Sequence, residues 1–211
     1  MASRGSPTPI TREAISRGTI GRGTINRGTI SRETYFRAAF DLLAEQGHGG
    51  LKLGALCRRL TVTTGSFYHH FDGWSGFVAA LLSHWEAEQT ERILRYSRAA
   101  PDAVTRVRTM KELTASTVPH AAEAAIRMWG GGDPRVRQVQ DRIDELRIAA
   151  LAEILGGVID DVAQTRRLAV LGVSIMIGWQ QLRQPRDPSE LAELFDEFEA
   201  TVLRHSGRPV T

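Results

Sequence analysis

Apolar residues recur at helical spacing along most of the chain after residue 31. The first run follows the i, i+3, i+4, i+7 pattern of one helix face, with Phe36, Ala39, Phe40 and Leu43. Ser31 is suited to cap the start of this helix, and Gly47 is suited to end it. No segment shows the apolar–polar alternation of a β-strand. The pattern therefore predicts an all-α protein.

Proline, glycine and aspartate divide the chain into about nine helices. A first helix is followed by two short ones, over residues 52–60 and 64–70, which are joined by the turn Thr61-Val62-Thr63. A long helix over residues 74–98 comes next. Further helices are predicted over residues 101–118, 119–129, 133–155, 160–183 and from 187 onward. The first three helices should form a tri-helical helix-turn-helix around Phe40, Leu56, Val62 and Phe67.

The second short helix has the residue types that suit a helix lying in the major groove. Such a helix reads bases through its first residues. The hydroxyls of Thr64 and Ser66 can pair with base edges or phosphate, and Gly65 lets the backbone approach the groove. Tyr68 and His70 can donate to phosphate oxygens. Thr63 is suited to cap the helix, which directs free N–H groups at phosphate.

Four stretches of the sequence carry a family resemblance: AAFDLLAEQG, LGALCRRL, TVTTGSFYHHF and FVAALL. Together, over residues 32–82, they resemble the DNA-binding domain of the TetR (tetracycline repressor) family. The resemblance implies a homodimer, a helical C-terminal ligand domain and repression relieved by a small molecule. By position, it implies contacts to the DNA backbone from Lys52, Thr63, Ser66, Tyr68 and His70, and contacts to bases from Thr64, Gly65, Tyr68 and His69.

The sequence departs from the family pattern at two positions. Thr61 stands where the family usually has glycine, although a β-branched residue disfavours positive φ, so we expect a slightly altered turn. Trp74 stands where the family usually has a lysine that holds a phosphate. Residues 33–75 have four basic and four acidic side chains. This module is therefore neutral, and charge for DNA must come from elsewhere.

Residues 1–29 are predicted to be a flexible basic arm built on a five-residue repeat. Isoleucine recurs at 10, 15, 20, 25 and 30, with arginine two places later each time. Residues 1–32 have six arginines and one acid, which leaves 21 basic and 23 acidic residues in the rest of the chain. This asymmetry favours a polyanion partner. The arm is either a phosphate-binding segment or a tolerated duplication.

The domain that follows, residues 76–211, is expected to bind a ligand and to dimerise. Six large apolar residues are candidates for the wall of a ligand cavity, although such residues are more often plain core: Trp85, Met110, Met128, Trp129, Met176 and Trp179. Residues 168–179 are apolar on all sides, which favours a helix between its own core and a partner subunit. Gly172, Ser174 and Gly178 would permit close approach in that interface.

No set of residues indicates catalysis, a cofactor or a metal. Neighbouring His69 and His70 point about 100° apart on a helix, which disfavours joint ligation. The acidic residues Glu123, Asp141, Asp144 and Glu145 are expected to form a solvated face. The single cysteine, Cys57, excludes an internal disulfide and favours the cytoplasm. No apolar run is long enough to span a membrane.

The sequence thus predicts a transcriptional regulator that binds a palindromic double-stranded DNA operator as a homodimer and is released by an unknown small-molecule effector. The helix-turn-helix domain is placed at residues 30–75. Two alternatives remain open at this point. One is a helical small-molecule-binding protein with no DNA role. The other is a constitutive DNA-binding protein whose C-terminal domain contacts another protein.

Overall fold

A computed structural model describes residues 30–98, 102–182 and 187–206. Over these ranges the chain forms nine α-helices and a single 3-10 turn, with no strand: α1 (Arg32–Gln46), the 3-10 turn (His48–Gly50), α2 (Leu53–Leu60), α3 (Thr64–His70), α4 (Gly73–Ser97), α5 (Ala103–Thr117), α6 (His120–Gly130), α7 (Pro134–Leu155), α8 (Val162–Gln181) and α9 (Pro188–His205). The all-α prediction is confirmed. The predicted basic arm lies outside the described residues.

The helix starts follow from local capping chemistry. Each of four aspartates accepts a hydrogen bond from a backbone N–H in the first turn of its helix: Asp102, Asp133, Asp161 and Asp187. Ser31 does the same for α1. Pro119 was expected to be the first residue of α6. It is instead the N-cap, and His120 is the first helical residue.

Helices α1 to α3 form a small unit, here called the head, around an aromatic core. Tyr35, Phe67 and Phe77 are fully buried, and Phe77 is supplied by the first turns of α4. The ring of Phe71 contacts those of Tyr35, Phe67 and Phe77 at centroid distances of 4.9 to 5.4 Å. Of the four expected core residues, Leu56 and Phe67 are buried, whereas Phe40 and Val62 are only partly buried.

Helices α5 to α9 form a second helical layer, here called the body. Its core is made mainly by α7, α8 and α9, with Leu151, Leu155, Met176, Leu191 and Phe198 among the buried residues. Helix α4 starts in the head and packs against α5 and α7 of the body. One continuous helix therefore links the two parts.

Gly172 is buried inside the body, so the expectation that it faces a partner subunit is wrong. A Cβ atom at this position would lie 2.9 Å from Leu151 Cδ2 and 2.9 Å from Phe198 Cζ. The glycine therefore allows α8 to approach α7 and α9 of its own chain closely. Ser174 and Gly178 lie on the exposed side of the same helix.

Helices in the described part of the chain lack the combination of length and apolar character needed to cross a membrane.

Candidate nucleic-acid interface

The turn between α2 and α3 is built around a left-handed residue. Thr61 has φ 54° and ψ 43°, and its N–H donates to the Arg58 carbonyl oxygen at 3.1 Å. The next N–H, of Val62, donates to the Cys57 oxygen at 3.0 Å. The turn thus keeps the conformation that glycine would adopt freely, at a cost in strain for a β-branched residue.

Helix α3 has one buried face and one exposed face. Phe67 is fully buried, whereas the neighbouring Tyr68 is 58% exposed. Thr64, Gly65 and His69 are exposed as well. Thr63 caps the helix, because its hydroxyl accepts a hydrogen bond from the Ser66 N–H at 3.3 Å. The structure therefore brings the residues expected to reach bases to one free, polar surface.

Ser66 and His70 are held from behind by α1. The Tyr35 hydroxyl lies 3.1 Å from Ser66 Oγ, within hydrogen-bond distance. The His70 ring packs on the Tyr35 ring at a centroid distance of 5.4 Å. Arg32 donates from Nη1 to the His70 carbonyl oxygen at 2.9 Å. The sequence reasoning missed Tyr35 and Arg32 as residues that position α3, although their i, i+3 spacing on one face of α1 could have indicated a shared role.

Charge around α3 is sparse. Lys52 is exposed at the N-cap of α2. Arg59 donates two hydrogen bonds to the Glu45 carboxylate, at 2.6 and 2.7 Å, so this guanidinium is already neutralised. The same contact lowers the pKa of Glu45. Trp74 packs its ring on Phe77 at 5.1 Å and on Phe67 at 6.2 Å, and thus serves the aromatic core.

A family comparison decides what this arrangement is. The family model for bacterial regulatory proteins of the tetR family matches residues 36–81, which span α2 and α3, most of α1 and the start of α4. Over these residues the chain has a TetR-family domain. Its helix-turn-helix is a DNA-binding domain, and the protein is a transcriptional regulator. Comparison with curated proteins gave no match.

Solved structures of transcriptional regulators share the fold of this chain. A regulator from Rhodococcus sp. Rha1 superposes with a TM-score of 0.69 at 20% identity, over 86% of this chain and 99% of its own. The TetR-family regulator SCO4454 from Streptomyces coelicolor gives 0.68 at 19% identity, over 82% and 94%. FadR from Bacillus subtilis, solved in complex with stearoyl-CoA, gives 0.58 at 16% identity, over 82% and 97%.

The body contains a narrow cavity of about 70 Å³. Its wall comes from α4, α5, α7, α8 and α9, together with Val118 just after α5, and includes Met110 and Met176, two of the six candidate ligand residues. Trp85 and Trp179 are buried elsewhere in the core. Trp129 stacks on His48 of the head at 4.5 Å, and Met128 is 74% exposed.

One side of the cavity is polar, with Gln89, Arg92 and Arg147. Behind it lies Glu123, which is only 2% exposed and accepts hydrogen bonds from Arg147 and Gln180. The expectation of a solvated acidic face is therefore wrong for Glu123, whose charge is buried and satisfied by these donors. Asp141 and Glu145 are exposed, as expected. The described residues contain no cluster of metal-ligand side chains.

Proposed function

We propose that this regulator is a repressor that binds a palindromic operator as a homodimer and is released by a small molecule. The observation that carries the proposal is the course of α4. Its first turns support the core beneath the exposed face of α3, and its later turns form the polar side of the cavity. DNA and ligand would thus act on one shared helix.

We propose base contacts from Thr64, Gly65, Tyr68 and His69, and DNA-backbone contacts from Lys52, Thr63, Ser66, Tyr68 and His70. The exposure of the first group supports its role, since a residue must be free to reach a base edge. In a two-fold dimer the two α3 helices would enter successive major grooves. Half-sites would then lie about one helical turn apart, roughly 34–36 Å.

The outer faces of α8 and α9 support a homodimer. Together with Leu182 just after α8, they expose large apolar residues that a monomer would leave in water: Val162, Val170, Leu171 and Leu194. Gly178 has open space beside it, which would let a second helix come close. Exposed Arg166 and Arg167 on α8 could meet the exposed acids of α9 across a two-fold axis, where each surface faces its own copy.

Release by a ligand requires unequal binding to two head arrangements. FadR of the same fold was solved with a small molecule bound, which supports a ligand role for the body. A ligand that widens the cavity would move α4 against α5 and α7. Because α4 also carries the head, the spacing of the two α3 helices would change.

The test selects operator sequences from genomic fragments with the purified full chain and then measures gel shifts. Thr64→Ala and Tyr68→Ala should each weaken operator binding at least about fivefold, since a base contact is worth about 1–3 kcal/mol. Ser83→Ala, at an exposed position on α4, is the matched control and should bind normally. All variants should remain dimers in light scattering. Normal binding by both α3 variants, or a monomer in solution, would contradict the proposal.

A further inference from the structure

We infer that the effector is an amphipathic anion, with an apolar chain and a carboxylate-type charged group that binds Arg92 and Gln89. That binding of this anion regulates the protein rests on the proposed function. The binding chemistry itself comes from three independent features of the cavity: its charge balance, an unsatisfied amide and its apolar walls.

The charge balance leaves one cation in excess on the polar side. Arg127 and Asp144 form a two-bond ion pair at 2.7 and 2.9 Å. Arg147 donates to Glu123 at 2.8 Å. Arg92 reaches Glu123 only at 3.9 Å, on the same oxygen that Arg147 already uses. Three guanidinium groups thus face two carboxylates, and Arg92 is the one with the weakest partner.

Gln89 adds a buried donor without an acceptor. Its side chain is 1% exposed, and its Oε1 accepts hydrogen bonds from Arg92 at 3.2 Å and Arg147 at 2.9 Å. Guanidinium groups only donate, so these contacts fix the amide with its oxygen toward the arginines. Its Nε2 is left with no partner among the described residues. A bound carboxylate would accept from this nitrogen and pair with Arg92 at once.

The remaining wall is mainly apolar and includes Ile93, Met110, Leu151, Val173, Met176 and Phe195. A cavity of about 70 Å³ is much smaller than common small-molecule sites, which measure roughly 300–1,000 Å³. The ligand must therefore push helices apart as its apolar part enters. The charged group of the ligand would stay at α4 and α7, where the polar residues lie.

The test measures binding to the full chain without DNA, by calorimetry, with three matched ten-carbon probes below their micelle concentrations. Decanoate should bind at least about tenfold more tightly than decanol, because a charge-assisted hydrogen bond contributes about 1.5–3 kcal/mol. Decylammonium should bind more weakly than either, since its charge is repelled by Arg92.

Two variants test where the charged group of the ligand binds. Arg92→Gln should weaken decanoate binding about tenfold and leave decanol binding unchanged. Gln89→Glu, whose new charge would be flanked by Arg92 and Arg147, should abolish the preference for decanoate. Arg95→Gln is the matched control, since Arg95 lies one turn along the same helix, is exposed, and does not line the cavity. It should bind all probes as the wild type does.

Equal affinity for decanoate and decanol, no binding of any probe, or an unchanged preference in both cavity variants would overturn the inference. Gel shifts on the selected operator separate this from the proposed function. Operator binding without any anion binding would refute the inference alone. Anion binding without operator binding or release would refute the proposed function alone.

Discussion

Thr61 should limit the stability of the head, and Thr61→Gly should raise it. The residue is the only non-glycine with positive φ in the described part of the chain. Its side chain is exposed, and its N–H bond to Arg58 belongs to the backbone, so glycine would keep that bond. The substitution therefore removes strain without removing a structural contact.

The expected gain follows from two opposing terms. The left-handed conformation destabilises a residue with a Cβ atom by about 1–2 kcal/mol. Glycine in turn lowers the stability of the folded state by about 0.5–1 kcal/mol, because it makes the unfolded chain more flexible. The net stabilisation should be roughly 0.5–1 kcal/mol, which corresponds to a rise in Tm of about 2–4 °C at most for a protein of this size.

Urea denaturation followed by circular dichroism measures this change, with equal m values as the check that the unfolded states match. Thr109→Gly, in the middle of α5, is the matched control and should destabilise by roughly 0.3 kcal/mol, because a helical φ gives glycine no advantage and threonine is itself only a slightly better helix former. A Thr61→Gly protein that is less stable than the wild type would refute the reasoning, since it would mean that the threonine conformation is not strained.

Two further predictions concern the body and the arm. Glu199→Gln should destabilise the chain by about 1–2 kcal/mol at neutral pH, because Glu199 joins α9 to Arg108 and Lys111 of α5 at 2.7 and 2.8 Å. Burial raises the pKa of Glu199, but these two bonds outweigh burial and leave the pKa below 4.5. The difference in unfolding free energy between variant and wild type should therefore shrink as pH falls below 4.5 in urea melts. A difference that stays constant with pH would contradict this. Deleting residues 1–29, which contain five arginines, should weaken operator binding and flatten its salt dependence in filter-binding titrations, whereas an unchanged affinity and slope would show that the arm does not bind phosphate.

Helix boundaries could be predicted because capping is local chemistry. Asp133 followed by Pro134, for example, specifies a helix start whatever the rest of the fold does. The exposed face of α3 was also predictable, since Phe67 and Phe71 mark the buried side by their spacing. The turn was not predicted correctly, because the threonine led to the expectation of an altered turn, whereas Thr61 keeps the positive φ that glycine would adopt.

Contacts between distant helices could not be predicted from spacing. Gly172 reads as a small residue on an apolar helix, and nothing in its neighbours says that Leu151 and Phe198 meet it rather than a second subunit. Glu123 reads as a surface acid, yet α7 and α8 supply Arg147 and Gln180 to its carboxylate. Burial of a charge depends on partners that lie 24 and 57 residues away in sequence.

The position of the polar residues on α4 explains how a small ligand could affect a distant head. Phe77 and Arg92 are 15 residues apart, which is about 22 Å along a helix. Between them, α4 contacts α7 through an ion pair of Glu86 with Arg142 and a hydrogen bond of Gln89 with Arg147. An anion bound by Gln89 Nε2 and Arg92 would lie beside these contacts, and the entry of its apolar part would widen the cavity there. A tilt of about 5° would then move the head end of α4 by roughly 2 Å over that length. In a dimer the two displacements would add, and two α3 helices that must fit fixed grooves tolerate little change in spacing.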